Sequence, residues 1–452
     1  MSESEIARLV GNIETIQRMG RVSQTIGLVI ESDGPPARIG ELCRIFPSLN
    51  TAHRSPDEKG SRVAPILAEV VGFRQDKLLM MPFGDTEQIC VNSEVVPTGE
   101  AMSLAVSEQM LGRVLDGLGR PIDGMPLAAG GESCPISAQP PPLMGRRPIS
   151  EPLALGIRAI DALITCGKGQ RLGIFSGSGI GKSTLLGMIA RNTGRTASAA
   201  DVNVIALIGE RGRELREFID HSLGPEGLRR SVVVVATGDT PPLVRLRGAY
   251  VATAIAEYFR DRGADVLLMM DSVTRFAWAQ REVGLAVGEP PTRGGYTPSV
   301  FAKLPQLLER SGMGETGSIT GLYTVLVDGD DLNEPVADAV RSTLDGHVVL
   351  SRDLATRSHY PPIDVLESVS RLTPRICTPE QLEAAGSVRK LIADYDEAED
   401  LINLGAYEHG SNPDVDAAIR LRRPLLDFLQ QSADDTADYA GTLNELQRIL
   451  AA

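Results

Sequence analysis

The sequence predicts an α/β protein whose central domain is a doubly wound parallel sheet, preceded by a small all-β domain and followed by an all-helical one. Three observations predict it. Between about residues 150 and 375, apolar runs alternate with helical spacing: Arg171–Ser176, Val202–Ile208, Ser231–Thr237, Val266–Met270 and Ile319–Val327. Runs without polar alternation suit strands buried on both faces, and strands alternating with helices build a parallel sheet. Ahead of them, Thr25–Glu31, Arg38–Arg44, Ala64–Phe73 and Lys77–Pro82 carry β-type patterning separated by Gly, Pro, Asp and Ser, as in a small β-barrel or sandwich. Behind them, from Pro379 to Ala452, only helical spacing remains: Leu382, Val388, Leu391 and Ile392, then Leu401, Ile402 and Leu404, punctuated by Gly405 and Pro413.

Residues 1–20 space Ile6, Leu9, Val10, Ile13 and Ile16 mostly by three and four, one apolar stripe on a short amphipathic helix. The β domain follows over 21–95. Next comes a Pro- and Gly-rich stretch holding Leu111-Gly-Arg-Val-Leu-Asp-Gly-Leu-Gly-Arg-Pro-Ile-Asp-Gly124 and Pro140-Pro-Pro-Leu143. Apolar residues continue through it, so it reads as an ordered connection lying against the next domain, and 96–378 form one unit. The helical domain, 379–452, holds 15 Asp/Glu against 6 Lys/Arg, most of the chain's net charge of −14. A solvated acidic face is the ordinary meaning of such a bias; a docking surface for basic partners is the sharper one.

Composition narrows the function. At 452 residues, 42% hydrophobic and 23% charged, the chain is an ordinary multi-domain globular protein. It has no run of about 18 uncharged apolar residues, so no membrane span is expected. Its N-terminus lacks a basic region before an apolar core, so no secretory signal is expected and the protein should stay in the cytosol. Global acidity disfavours sequence-independent nucleic-acid binding, though not a locally basic pore. One Trp and 4% aromatics argue against platforms for stacking bases. Cys43, Cys90, Cys134, Cys166 and Cys377 are scattered and without CxxC spacing, and read as reduced thiols rather than a metal site or disulfide framework.

The sharpest motif is Ser176-Gly-Ser-Gly-Ile-Gly-Lys-Ser-Thr184, between the apolar run Arg171–Phe175 and the helical pattern Leu185–Arg191. That strand–loop–helix context is what a phosphate-binding loop requires. Gly177, Gly179 and Gly181 let backbone N–H groups turn inward, with Ser178, Ile180 and Thr184 completing the loop. The helix that starts near Lys182 aims its positive dipole end at the same anion. Lys182 brings charge to the β- and γ-phosphates of a nucleotide, and the Ser183 hydroxyl is a ligand for Mg²⁺. The usual first Gly is Ser176 here. A plain Gly-rich turn is the bland alternative.

Two acids stand at strand ends. Asp271 closes Val266–Met270, where a carboxylate joins the Mg²⁺ shell in phosphate-loop proteins; on its own such an Asp is often a turn residue. Glu210 follows Val202–Gly209. A carboxylate there either orients the attacking water opposite the γ-phosphate or forms a surface salt bridge with Arg211 or Arg213, and spacing alone leaves both open.

With these residues in place, the sequence resembles the ATPases of bacterial flagellar and injectisome (type III) export, relatives of the catalytic subunit of rotary ATP synthases. The resemblance spans nearly the whole chain. It is densest in Arg113–Pro121, the phosphate loop, Leu207-Ile-Gly-Glu-Arg-Gly-Arg-Glu214, Met270-Asp-Ser-Val-Thr-Arg-Phe276, Gly288–Pro291, Tyr296–Ala302, Val327–Val336, Leu344–His347 and His359-Tyr-Pro-Pro-Ile-Asp364. It implies a RecA-like ATPase core with an N-terminal β-barrel and a C-terminal helical domain. It also implies roles: Lys182 and Ser183 on phosphate and Mg²⁺, Asp271 in the metal shell, Glu210 as catalytic carboxylate and Arg211 beside it fixing the nucleotide site. Tyr360 would stack on adenine, and Arg371 would be an arginine finger reaching the neighbouring subunit's ATP. Local chemistry alone would make those last two a core aromatic and a surface charge.

A finger acting in trans needs a ring, and the resemblance implies a homohexamer at the cytoplasmic face of the membrane. Val283–Arg310 would line its channel, with Arg293 and Lys303 as local positive charge. Implied partners are a peripheral stator protein met by the 1–20 helix, a central stalk-like protein, export-gate membrane proteins and chaperone–substrate complexes, with no specific nucleic acid. Two other classes share the core. An RNA-translocating terminator-type hexamer wants basic and aromatic residues in 21–95, where there is no dense basic run. A rotary synthase splits Glu210-type and Arg371-type duties between two chains; here one chain carries both. Gly295–Val300 and Glu399–Tyr407 resemble flagellar members more than injectisome ones.

Overall fold

The structure, a computed structural model, describes residues 18–47, 64–127, 130–195, 199–327, 329 and 331–451. The chain divides into two compact units. One comprises the described residues through Ser103 with Glu282–Pro290, the other Leu104–Arg281 and Pro291–Ala452.

In the first unit β1 (Gly20–Ile26), β2 (Val29–Asp33), β3 (Glu41–Phe46), β4 (Ile66–Arg74), β5 (Lys77–Pro82) and β6 (Glu94–Ala101) close into a barrel in the order β1-β2-β5-β4-β3-β6. Alternate side chains point inward, among them Val22, Ile30, Ile45, Val70, Met80 and Val95. Cys43 joins them, its thiol pushed up to about 12 by burial and by Glu41. The expected strand Thr25–Glu31 is instead the tip of a hairpin. Ile26 pairs with Val29, and Gly27 turns the chain at φ 56°, a left-handed conformation glycine adopts without a Cβ penalty. β6 runs past residue 95 to Ala101; Pro97 and Gly99 hide it in the sequence, but it pairs with both β1 and β3 and closes the barrel. Of the helix expected over 1–20, residues 1–17 lie outside the described residues, and Gly20 already belongs to β1.

The second unit holds β7 (Ser103–Val106) from Leu104 on, in a short ribbon with β9 (Glu132–Pro135). The main sheet contains β8 (Val114–Asp116), β10 (Arg171–Ser176), β11 (Val202–Ile208), β12 (Ser231–Ala236), β13 (Asp265–Asp271), β15 (Ser318–Leu326), β16 (Gly346–Leu350) and β17 (Ile363–Ser370). Their order is β17-β16-β10-β15-β13-β11-β12-β8, with β14 (Gly312–Met313) on β15. All the expected apolar runs are strands here. β11 is buried along its whole length, as a strand covered on both faces must be. The chain leaves β10 toward β11 and later returns across it to β16, so the ligand crevice should open at the carboxyl ends of these strands.

The Arg113–Pro121 stretch is ordered, as its apolar content implied. β8 adds to the sheet beside β12, and Arg113 holds Asp123 through two bonds of 2.7 Å. That contact keeps the Asp123 carboxyl well below the usual carboxylate range. The C-terminal helices Pro379–Asn403, Pro413–Leu429 and Tyr439–Leu450 each begin at a side chain that caps the first turn: Thr378, Asn412 and Asp438. Their apolar faces (Val388, Leu421, Leu425, Phe428, Leu446) pack into the same core as the sheet.

Candidate functional site

Three strands deliver the site at one edge. In register, Ser176 of β10 lies level with Leu326 of β15, and Asp271 of β13 level with Leu207 of β11. The phosphate loop, Asp271 and Glu210 therefore leave the sheet side by side. Ser176 is the last residue of β10, an extended position any residue adopts, so the backbone there accepts Ser in place of the usual Gly. Gly181 caps the helix Lys182–Asn192 at φ 104°, where a side chain would be strained by roughly 1–3 kcal/mol.

A cavity of about 370 Å³ is lined by Gly177, Ser178, Gly179, Gly181, Lys182, Ser183 and Thr184 of the loop, with Glu210, Arg211 and Arg275. Ile180 instead turns into the core at 2% exposure, so it offers only backbone. The Lys182 ammonium lies 2.5 Å from Asp271 Oδ1 and 3.7 Å from Glu210 Oε1. Burial opposes its charge, but the two carboxylates outweigh burial and hold its pKa above the ordinary lysine value. Asp271 Oδ1 also accepts from the buried Thr324 hydroxyl at 2.7 Å, which fixes the carboxylate. Burial pushes the Glu210 pKa up, and Asp271 adds to the rise while Lys182 pulls against it. Among the described residues Glu210 Oε1 has no hydrogen-bond partner although it is buried. A buried acceptor left open, 3.7 Å from the Lys182 ammonium, is suited to hold a water.

The other expected residues divide. Arg211 sits at the rim, 86% exposed in its side chain and paired with Glu214 at 3.6 Å. Tyr360 is half exposed, and its ring faces Gly181: a Cβ on that glycine would meet it at 3.8 Å. The ring thus stands beside the phosphate loop. Arg371 is exposed and stands at the opposite end of the sheet. Its N–H donates to Asp345 O, and Asp345 N–H donates to Arg171 O, the first residue of β10. At strand rise that is about 16 Å from Ser176, too far for one arginine side chain to reach its own chain's loop. Arg293 pairs with Asp338 at 3.4 Å, and Lys303 donates to Gln280 at 3.0 Å, so neither charge is idle.

Arg275 and Thr324 were missed. Arg275 lines the cavity; its guanidinium lies over Trp278, 4.6 Å from the ring centre, and its Nε is buried without a hydrogen-bond partner among the described residues. Gly209 makes room for it, since a Cβ there would lie 2.7 Å from Arg275 Cβ. Arg275 lies in the quoted Met270–Phe276 stretch, so position in that motif was the available signal. A second cavity, of about 390 Å³, opens between β17 and the C-terminal helices. Its arginines pair with acids, Arg357 with Glu399 and Arg422 with Asp396, and it has no phosphate loop.

Known proteins match in the same order. The nucleotide-binding domain of the ATP synthase alpha/beta family matches residues 156–370, and that family's beta-barrel domain matches 22–99. The T3SS EscN ATPase C-terminal domain matches 377–448. The chain is 53% identical over 424 residues to the flagellum-specific ATP synthase of Bacillus subtilis, covering 94% of this chain and 93% of that protein. It is 47% identical over 447 residues to the type 3 secretion system ATPase of Xanthomonas euvesicatoria, covering 99% and 97%. Among solved structures, the assembled ATPase EscN in complex with its central stalk EscO, from the enteropathogenic E. coli type III secretion system, matches with a TM-score of 0.85. The identity is 44%, over 95% of this chain and 100% of that one.

Proposed function

The chain belongs to the flagellar and type III secretion ATPases of the ATP synthase alpha/beta family, and on that premise we propose that it hydrolyses ATP in a homomeric ring to drive export of flagellar subunits. ATP hydrolysis itself is the activity that membership carries. The observation that carries the ring is that one chain holds both Glu210 at its own phosphate loop and Arg371 at the far end of the sheet. The assembled state of EscN, and its central stalk, support the same reading. Identity of 53% to a flagellar relative against 47% to a secretion-system relative favours flagellar cargo.

In this reading the loop N–H groups and Lys182 take the β- and γ-phosphates, and Tyr360 stacks on adenine. Glu210 accepts a hydrogen bond from the water, orients it for attack on the γ-phosphorus and takes its proton as the bond to ADP breaks. Lys182 exchanges its carboxylate partners for phosphate oxygens. Arg275 and the neighbour's Arg371 meet the charge that builds on the transferring group. The hydroxyl of Ser183 and the carboxylate of Asp271 are hard oxygen donors that fit Mg²⁺, which when bound would neutralise the β- and γ-phosphates.

The ring is a homohexamer. It binds a central stalk-like protein, a peripheral stator protein, export-gate membrane proteins and chaperone–substrate complexes, and works in the cytoplasm against the inner face of the membrane. No helix among the described residues is long and apolar enough to cross a membrane.

Two outcomes check this. Because Glu210 must be ionised to take the proton and its pKa is raised, kcat/KM should fall as pH drops through a value above the ordinary 4.5 of glutamate, a limb set by the free enzyme. A profile flat down to pH 4.5 would contradict the assignment. In cells lacking the gene, the wild-type chain should restore flagellar subunits to the medium, and Glu210→Gln should give at least about tenfold less, as its hydrolysis loss requires. Rescue of injectisome secretion instead would move the protein to the other branch of the family.

A further inference from the structure

We infer that Gln431 is a positioning residue for Tyr360, bracing that ring's backbone against the helix that follows the phosphate loop. The inference rests on the reading of Tyr360 as the adenine platform. Gln431 is 4% exposed. Its amide nitrogen donates to Gly156 O at 2.9 Å, and its amide oxygen accepts from the Arg158 backbone N–H at 3.0 Å. Both ends of the amide are held, and they hold the Gln431 backbone, whose own N–H donates to Tyr360 O at 2.8 Å. Neighbours repeat the tie: Arg158 Nε donates to Phe428 O at 2.8 Å, and the Gln430 amide meets His359 Nδ1 at 3.4 Å.

The Gly156 turn is itself anchored from two sides. Asp161, fully buried, accepts from the Leu155 and Gly156 N–H groups at 2.9 and 2.8 Å. Asn192, the last residue of the phosphate-loop helix, donates to both carbonyls of the same pair at 3.4 Å. Gly156 sits at φ 75°, and a Cβ there would lie 2.1 Å from Asn192 Nδ2, so turn and helix end are in contact. Arg191, one residue earlier, donates to Ala433 O at 2.5 Å. The brace thus runs from the end of the helix through Gly156 and Gln431 to the Tyr360 backbone, while the Tyr360 ring returns to the start of the same helix at Gly181. A half-exposed ring gains little rigidity from its own packing. A backbone fixed in advance lowers the ordering cost of stacking a base.

Calorimetric binding of ADP and of pyrophosphate to the full chain tests this, in wild type, Gln431→Met, Tyr360→Ala and the double variant. Met keeps the length and removes the side-chain bonds to Gly156 and Arg158 together with a longer one to Asp435 O at 3.4 Å. Gln431→Met should weaken ADP binding by about 5- to 20-fold, leave pyrophosphate within about twofold, and raise KM for ATP while kcat changes less than about threefold. On the Tyr360→Ala background it should add less than about twofold for ADP, because the platform it positions is gone. Equal weakening of ADP and pyrophosphate, or full additivity with Tyr360→Ala, overturns the inference. If Tyr360→Ala weakens ADP and Gln431→Met does not, the brace alone is wrong; if Tyr360→Ala binds ADP like wild type, the adenine reading fails and the brace with it. Should Gln431→Met not fold, Gln431→Glu carries the same comparison, keeping the acceptor for Arg158 and losing the donor to Gly156.

Discussion

Lys182→Ala and Glu210→Gln should both stop hydrolysis yet separate cleanly on binding. In the proposed mechanism Lys182 meets the phosphates in the ground state, so its loss should weaken ATP binding as well as turnover. It also leaves Asp271 and Glu210, both within 3.7 Å of the ammonium in the native chain, as neighbouring acids without a counter-charge, which disfavours an incoming polyphosphate further. Glu210, in the same mechanism, acts on the water. Gln keeps its shape and removes only the base, so ATP affinity should stay within a few-fold while turnover falls by roughly 10²-fold or more. Equilibrium nucleotide binding and steady-state turnover on both variants check this. Near-normal turnover in Glu210→Gln would remove Glu210 from the chemistry and leave its open, buried Oε1 unexplained.

Arg371→Ala should lose about 10³- to 10⁵-fold in turnover, the range measured for other arginine fingers, while still binding nucleotide through Lys182. Arg371 stands beside Asp345 and Arg171, at the wrong end of β10 for its own phosphate loop. In the proposed ring, a contribution from Arg371 would therefore reach the site of another copy. Wild-type turnover per chain should accordingly rise with protein concentration as rings assemble, and Arg371→Ala should stay low throughout the same series. Full wild-type activity in a chain held monomeric would sink the trans assignment.

The phosphate loop was legible because its chemistry is local: glycine spacing, a preceding apolar strand and a following helix all sit within one stretch of chain. Asp271 was legible because it ends a buried strand. Glu210 stood equally near Arg211 and Arg213 in sequence, and only burial and the 3.7 Å approach to Lys182 distinguish a site acid from a surface one. Tyr360 and Arg371 carry no local signal at all. One is half exposed and the other exposed, and their meaning comes from where the sheet places them. Thr324 and Gln431 are buried polar residues whose partners Asp271 and Gly156 lie far away in sequence, beyond any spacing rule; Arg275 lay inside the Met270–Phe276 motif, but nothing local marks it as lining the cavity. The edge strand β17, Ile363-Asp-Val-Leu-Glu-Ser-Val-Ser370, and its short neighbour β16 were missed: β17 is half polar and runs antiparallel to β16, unlike the unbroken apolar runs at the centre of the sheet.

The central claim, that each active site joins Glu210 of one chain to Arg371 of the next, is tested most directly by mixing Arg371→Ala with Glu210→Gln. Each variant lacks a different half of the site. With random assembly at equal amounts, about a quarter of interfaces in a closed head-to-tail ring should pair an intact Glu210 with an intact Arg371. Rings carrying both variants, isolated through two different affinity tags, should therefore hydrolyse ATP well above either variant alone, up to about a quarter of the wild-type rate if interfaces act independently. Doubly tagged rings that hydrolyse ATP no faster than their parents would contradict a site shared between subunits.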